Sequence, residues 1–233
     1  MSVLTALVSP LVADLSLQER RALHHLLSVM AWGERVAMEG ATLQAAIAPD
    51  AASRVFLRRQ ARHERFHALI FETAVAVLEH DPEVNATSRI SSGEIPVVLA
   101  KWRGRIRRAI AQNRLAESLL IQQVFLEGLG HIILREIDAA CFTSGRQIIR
   151  IRATMLRQEA QHHEFGLRLL QSELEQSPAM VLQLEEVGLD LFAEAEMLLS
   201  ELTESFAVLD APGRNFVAEL RAELPICVSG VAV

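Results

Sequence analysis

From Leu17 to about residue 208 the apolar side chains recur every three or four positions, and no alternating strand pattern interrupts them. That spacing is the angular period of an α-helix, so each segment presents an apolar stripe that only another helix can cover. Breaks in the pattern divide the chain. Ser16-Leu17-Gln18-Glu19 reads as a capping box that starts a first helix at about 17. It runs to about 43 with Leu23, Leu27, Met30, Ala37, Met38 and Ala41 on one face. Pro49-Asp50 separates it from a second run over about 52–80, which stops at Asp81-Pro82 and completes a helical hairpin. Residues 81–94 read as loop. Helix resumes near Pro96 and, with a break near Gln112-Asn113, continues to about Cys141. The turn Thr143-Ser144-Gly145 leads into a helix over about 146–175, another follows over about 179–208, and a short one lies beyond Pro212-Gly213. The excursion over 81–112 is long enough to cross a bundle. The expected fold is therefore all-α, a four-helix bundle with a long crossover and additional C-terminal helices. A single domain over 1–233 is expected, its core bundle at about 17–175 and its C-terminal helices and tail at about 179–233.

Composition narrows the function classes. In 233 residues, 51% are hydrophobic and 22% charged, which suits a folded chain rich in regular structure. Lys and Arg number 23 against 29 Asp and Glu, a net charge of -6 that gives no general attraction to nucleic acid or anionic lipid. The basic run 101–108, KWRGRIRR, then reads as a solvated crossover face. Cys141 and Cys227 are too few and too far apart for a disulfide framework or a thiolate metal site, and fit a reducing compartment. The apolar N-terminus has no cation ahead of it and carries Pro10 and Asp14, unlike a secretory signal. No apolar run approaches the roughly 18 residues of a membrane span. A cytoplasmic protein is expected. There is no tyrosine, which excludes any mechanism that stores a radical on that residue. The apolar tail Leu224 to Val233 reads as a docked or frayed terminus.

The chemistry lies in Glu-x-x-His, which on a helix aims a carboxylate and an imidazole at the same point. It occurs at Glu64-Arg65-Phe66-His67 and at Glu159-Ala160-Gln161-His162. About one occurrence is expected by chance in a chain with this much Glu and His, so the motif alone is weak. Its company is stronger. Glu34 lies thirty residues before Glu64 and Glu127 thirty-two before Glu159, each pair straddling a predicted turn, so antiparallel hairpins bring the members to one height. Both Glu34 and Glu127 interrupt apolar surroundings, where a lone carboxylate is costly unless paired or bound to metal. Glu39, the rival on the first helix, projects about 140° away from Glu34.

Four Glu and two His converging from four helices resemble the ferritin-like di-iron carboxylate superfamily over about residues 17–175. The resemblance implies Glu34, Glu64, His67, Glu127, Glu159 and His162 as metal ligands and catalytic residues, with Glu64 and Glu159 as bridges. An oxygen-rich set with one imidazole per metal suits two iron ions, Fe2+ or Fe3+, with manganese as the alternative. His131 reads as an extra ligand, a proton carrier or a buried neighbour, and His163 as a neighbour of His162. Gln60 and Gln123, each four residues before a ligand Glu, either orient it or pack. His24, His25, His63 and His80 read as surface.

A narrower similarity is to the aldehyde-deformylating oxygenases, carried by Leu119-Leu120-Ile121-Gln122 ahead of Glu127 and Phe165-Gly166 after His162. The chain departs from that family in lacking tyrosine, and from the di-iron N-oxygenases in carrying Met155 where they have a further His. Gly33, Gly128 and Gly130 either leave room for a substrate or relieve helix packing; Phe66, Phe125, Leu126 and Ile132 are candidate apolar walls. The expected activity is that of a non-haem di-iron oxygenase or oxidase. It would use O2 as co-substrate and oxidise an apolar small molecule, with an external electron donor and no nucleic-acid partner, as a monomer or homodimer. The alternatives are a ferroxidase or iron-binding ferritin-like protein without organic substrate, and a metal-free helical interaction module.

Overall fold

Ser16 caps the first helix, α1 (Leu17–Gln44): its hydroxyl accepts the Glu19 N–H at 3.2 Å and the Glu19 carboxylate accepts the Ser16 N–H at 2.8 Å. The computed structural model describes residues 15–85, 95–143, 152–177 and 179–209, with Ala218 and Ala222. The expected N-terminal and C-terminal segments, most of the loop before Pro96 and the start of the helix expected at 146 lie outside the described residues. Asp50 accepts the Ser53 N–H at 2.7 Å and opens α2 (Ala51–Glu79), which folds back along α1 to make the most extensive helix pair among the described residues. A one-turn helix, α3 (Pro82–Asn85), stands where the sequence reads as loop. Pro82 suits its first position because it lacks the N–H that would go unbonded there.

The crossover carries α4 (Val97–Ala111), which packs on α1 and on the C-terminal helix α8 (Met180–Val208). Its basic run is not simply a solvated face. Trp102 is fully buried and donates its indole N–H to Glu194 on α8 at 2.6 Å, and Arg105 and Lys101 pair with the same carboxylate. Arg103 and Arg107 both pair with Glu39 on α1. Asn113, with φ at 55°, breaks the helix where the sequence places the break; the Arg114 N–H reaches back to the Ala109 carbonyl at 2.8 Å.

The next rod has three parts: α5 (Leu115–Leu119), a π-helical segment (Leu120–Leu126) and α6 (Glu127–Thr143). All seven residues of the wider turn are buried. Two glycines admit it. A Cβ on Gly40 of α1 would stand 1.7 Å from Gln122 Oε1, and one on Gly166 of α7 (Arg152–Gln176) would stand 2.2 Å from Gln123 Cβ. Helices α1, α2, the π-containing rod and α7 form an all-α bundle of the ferritin-like type, with long connections and α8 as an added C-terminal helix against α1. Among the described residues there is no strand, and no helix is long and apolar enough to cross a membrane.

Candidate metal centre

The two hairpins each deliver three chemistry-bearing side chains to the bundle axis: Glu34, Glu64 and His67 from α1 and α2, and Glu127, Glu159 and His162 from the π-containing rod and α7. All six are buried, none more than 5% exposed. They form two overlapping groups, Glu34, Glu64, His67 and Glu159, and Glu64, Glu127, Glu159 and His162, with donor atoms within 4.8 Å of one another in each. Glu64 and Glu159 serve both groups. The arrangement brings all six sequence-predicted residues together, and the two carboxylates common to both groups are Glu64 and Glu159.

The donor atoms crowd together without bonding one another. His67 Nδ1 lies 2.9 Å from Glu159 Oε1, 3.1 Å from Glu64 Oε2 and 3.5 Å from Glu34 Oε2. His162 Nδ1 lies 2.8 Å from Glu64 Oε1 and 3.5 Å from Glu127 Oε2. Yet His67 Nδ1, His162 Nδ1, Glu159 Oε1 and both Glu64 oxygens have no hydrogen-bond partner, because none of these close approaches has hydrogen-bond alignment. Buried polar atoms are ordinarily satisfied, and leaving several of them orphaned at one point costs about 1–3 kcal/mol each. Lone pairs that converge on a common centre rather than on one another fit two metal ions.

The outer nitrogens are held. His67 Nε2 is 2.8 Å from Gln158 Oε1, so it donates its proton there, and Nδ1 would become the lone-pair donor once a metal displaces its own proton. His162 Nε2 faces His63 Nδ1 at 3.1 Å. Gln60 donates to Glu127 Oε1 at 2.7 Å; Gln123 donates at 2.9 Å to both Gln60 Oε1 and Gln44 Oε1, and Gln44 donates to the Ser118 carbonyl at 3.0 Å. A chain of buried amides thus fixes one carboxylate from across the bundle.

Electrostatics point the same way. Burial and the Glu159 carboxylate push Glu34 up to about 8, and burial with the charges of Glu64 and Glu159 raises Glu127 well above the ordinary carboxylate range. Burial also opposes the Glu64 charge, but the rings of His162 and His67 outweigh it and hold that carboxyl at about 2. For His162, burial disfavours the cation, yet Glu64 and Glu127 raise it to about 11. His67 is raised further against the same penalty by Glu159, Glu34 and Glu64. Protons here balance carboxylates that a cation of higher charge can balance better.

A small, partly open apolar pocket with a cavity volume of about 30 Å³ reaches Glu34, Glu127 and Glu159. Val29 and Gly33 of α1, Leu99 of α4, Leu129 and Gly130 of α6 and Leu198 of α8 are among its walls. Gly130 has no atom within 4 Å of where its Cβ would be, and Gly33 only Leu126 Cδ1 at 3.9 Å, so these two leave room, whereas Gly40 and Gly166 permit close packing. Leu126 is a wall as expected. Phe66 is not: it faces outward and is 42% exposed. Phe125 packs edge-to-face against Trp102 and Phe192 in the core, and Ile133, not Ile132, lines the cavity, since one helical step turns a side chain by about 100°.

Other histidines divide differently from their sequence reading. His80 is exposed as expected. His24 is buried at 2% exposure beside Glu79 at 3.2 Å, His25 contacts Ser205 Oγ at 3.0 Å, and half-buried His63 backs His162. His131 is half-buried and joins neither group; His163 Nδ1 lies 3.1 Å from the Gln123 carbonyl. The clue to His63 is its place four residues before His67 and one before Glu64.

No protein-family model matches the chain, and no curated protein matches it. Among solved structures it is similar to protein 19 with aldehyde deformylating oxidase activity from Synechococcus, at a TM-score of 0.70 and 20% identity, over 89% of this chain and 88% of that one. At that identity the likeness speaks for a shared ferritin-like fold.

Proposed function

We propose that the chain is a non-haem di-iron oxygenase or oxidase that uses O2 to oxidise an apolar small molecule. One observation carries this reading: a largely apolar cavity opens directly on Glu34, Glu127 and Glu159. Glu34, Glu64, His67 and Glu159 would hold one iron and Glu64, Glu127, Glu159 and His162 the other, with manganese as the alternative ion. When bound, the metal pair supplies the redox chemistry that activates O2. The protein does the rest. Gln158 fixes the His67 ring so that Nδ1 faces inward, and Gln60 holds Glu127 in its orientation. Val29, Leu129 and Leu198 give the metal-facing pocket an apolar lining, and Gly33 and Gly130 keep side chains out of it. The aldehyde deformylating oxidase activity named for the structural neighbour, together with the apolar pocket lining, makes an aldehyde with an apolar chain the first substrate class to try.

The test is iron per chain after anaerobic Fe(II) loading and desalting, with O2 uptake followed as a fatty aldehyde is added. About two irons per parent chain, a clear loss in Glu159→Ala, and aldehyde-stimulated O2 uptake that Gly130→Phe suppresses without losing iron are expected. Iron retained with O2 uptake indifferent to any apolar probe would favour a ferroxidase. No retained iron would sink the di-iron reading.

A further inference from the structure

Between Asp50 and Glu72, α2 carries five arginines and a single acid, Glu64, which points into the metal cluster at 0% exposure. Arg54, Arg58, Arg59, Arg62 and Arg65 are all exposed, and none forms an ion pair with a described carboxylate. Their spacing puts Arg54, Arg58, Arg62 and Arg65 on one outward stripe of the helix. Val55 at 66% exposure, with Phe66 and Leu69 at 42% each, stands among them. In a chain of net charge -6, this concentrated positive patch runs against the overall balance. Exposed aromatic and aliphatic residues set among arginines are the composition of a protein docking surface, and its charge selects an acidic partner.

We infer that this outward face of α2 docks an acidic one-electron-carrier protein, an assignment that rests on the di-iron reading above. Position decides between kinds of partner. The same helix carries Glu64 and His67 on its inner face, and His63 reaches from its flank to within 3.1 Å of His162 Nε2. A carrier on this face is therefore separated from the metal ligands by one helix. The substrate cavity, in contrast, takes no wall from α2, so a protein delivering substrate has no reason to dock here. One electron passes per encounter: the carrier is oxidised by one and the metal pair is reduced by one, with no leaving group.

The probe is a reduced, acidic [2Fe–2S] ferredoxin, and the measurement is its dissociation constant with the iron-loaded chain, alongside iron per chain. Binding by the parent should weaken at least about tenfold when salt is raised from about 50 to about 500 mM. Arg58→Glu/Arg62→Glu should weaken it at least about tenfold at low salt, Arg58→Gln/Arg62→Gln by less, and Arg108→Glu/Arg168→Glu, with the same change in net charge elsewhere, by under about twofold. Equal weakening by the two Glu pairs would overturn the docking face, as would salt-insensitive binding. Absence of ferredoxin binding by a parent holding two irons would overturn it while leaving the di-iron reading intact, and binding of that parent to phosphatidylglycerol vesicles instead would assign the patch to lipid. A parent that retains no iron removes the purpose of electron delivery and overturns both.

Discussion

Gln60 stands four residues before Glu64, yet its amide serves Glu127 on the opposite hairpin. The six cluster residues are legible in the sequence because Glu-x-x-His and its partner carboxylates obey the helical period and interrupt apolar faces. Gln60 is legible only as a candidate, because spacing along one helix cannot say which residue a side chain meets across the bundle. His63 escapes for the same reason: its partner, His162, is ninety-nine residues away. Phe66 errs the other way, since its place inside the motif does not bring it onto the inner face. A consequence can be measured. Gln60→Leu leaves the buried Glu127 without its donor, which should cost about 1–3 kcal/mol in a urea unfolding series. By loosening a metal-facing carboxylate it should also weaken Fe(II) binding about 10–100-fold. Unchanged binding would mean that Glu127 needs no support from this amide.

At the scale of elements, helix starts were readable where a side chain marks them. Ser16 and Asp50 cap α1 and α2 within one residue of expectation, and Asn113 breaks the chain at the expected place. The π-helical segment is not readable, because Leu120–Leu126 is buried throughout and its two polar residues, Gln122 and Gln123, stand side by side and so mark no helical period. The α4 run was misjudged because its charge balance depends on Glu39 and Glu194, which lie far off in sequence. Glu39 makes this tie sensitive to acid. Burial opposes its charge, but hydrogen bonds from Arg107 and Arg103 prevail and hold its carboxyl below the ordinary value of 4.5. The stabilisation is therefore full above pH 4.5 and is lost as pH falls through the lowered folded value. Because the arginines are partly exposed and screened, Glu39→Gln should cost only about 0.5–1 kcal/mol at neutral pH. That difference from the parent, followed by urea unfolding, should shrink towards zero as the pH is taken well below the folded value; a constant difference would refute the ion-pair account.

For the whole molecule, four buried carboxylates on the bundle axis are a burden that metal would relieve. Iron at about a hundred times its dissociation constant adds about 2.7 kcal/mol to the folded state. A domain of this size gains about 2–4 °C per kcal/mol, so anaerobic Fe(II) should raise the melting temperature by about 5–10 °C. Glu159→Ala should abolish most of that rise; an equal rise in the variant would place the metal elsewhere. The division of the cluster also bears on how the chain is made. Neither group is complete within one hairpin: the first borrows Glu159 from the C-terminal half, and the second borrows Glu64 from the N-terminal half. A nascent chain emerging from the ribosome can offer Glu34, Glu64 and His67 early, but no finished nest for either ion exists until α7 has been synthesised and has docked. On the proposed reading, capture of either ion would thereby wait until both hairpins have been made and have docked on each other.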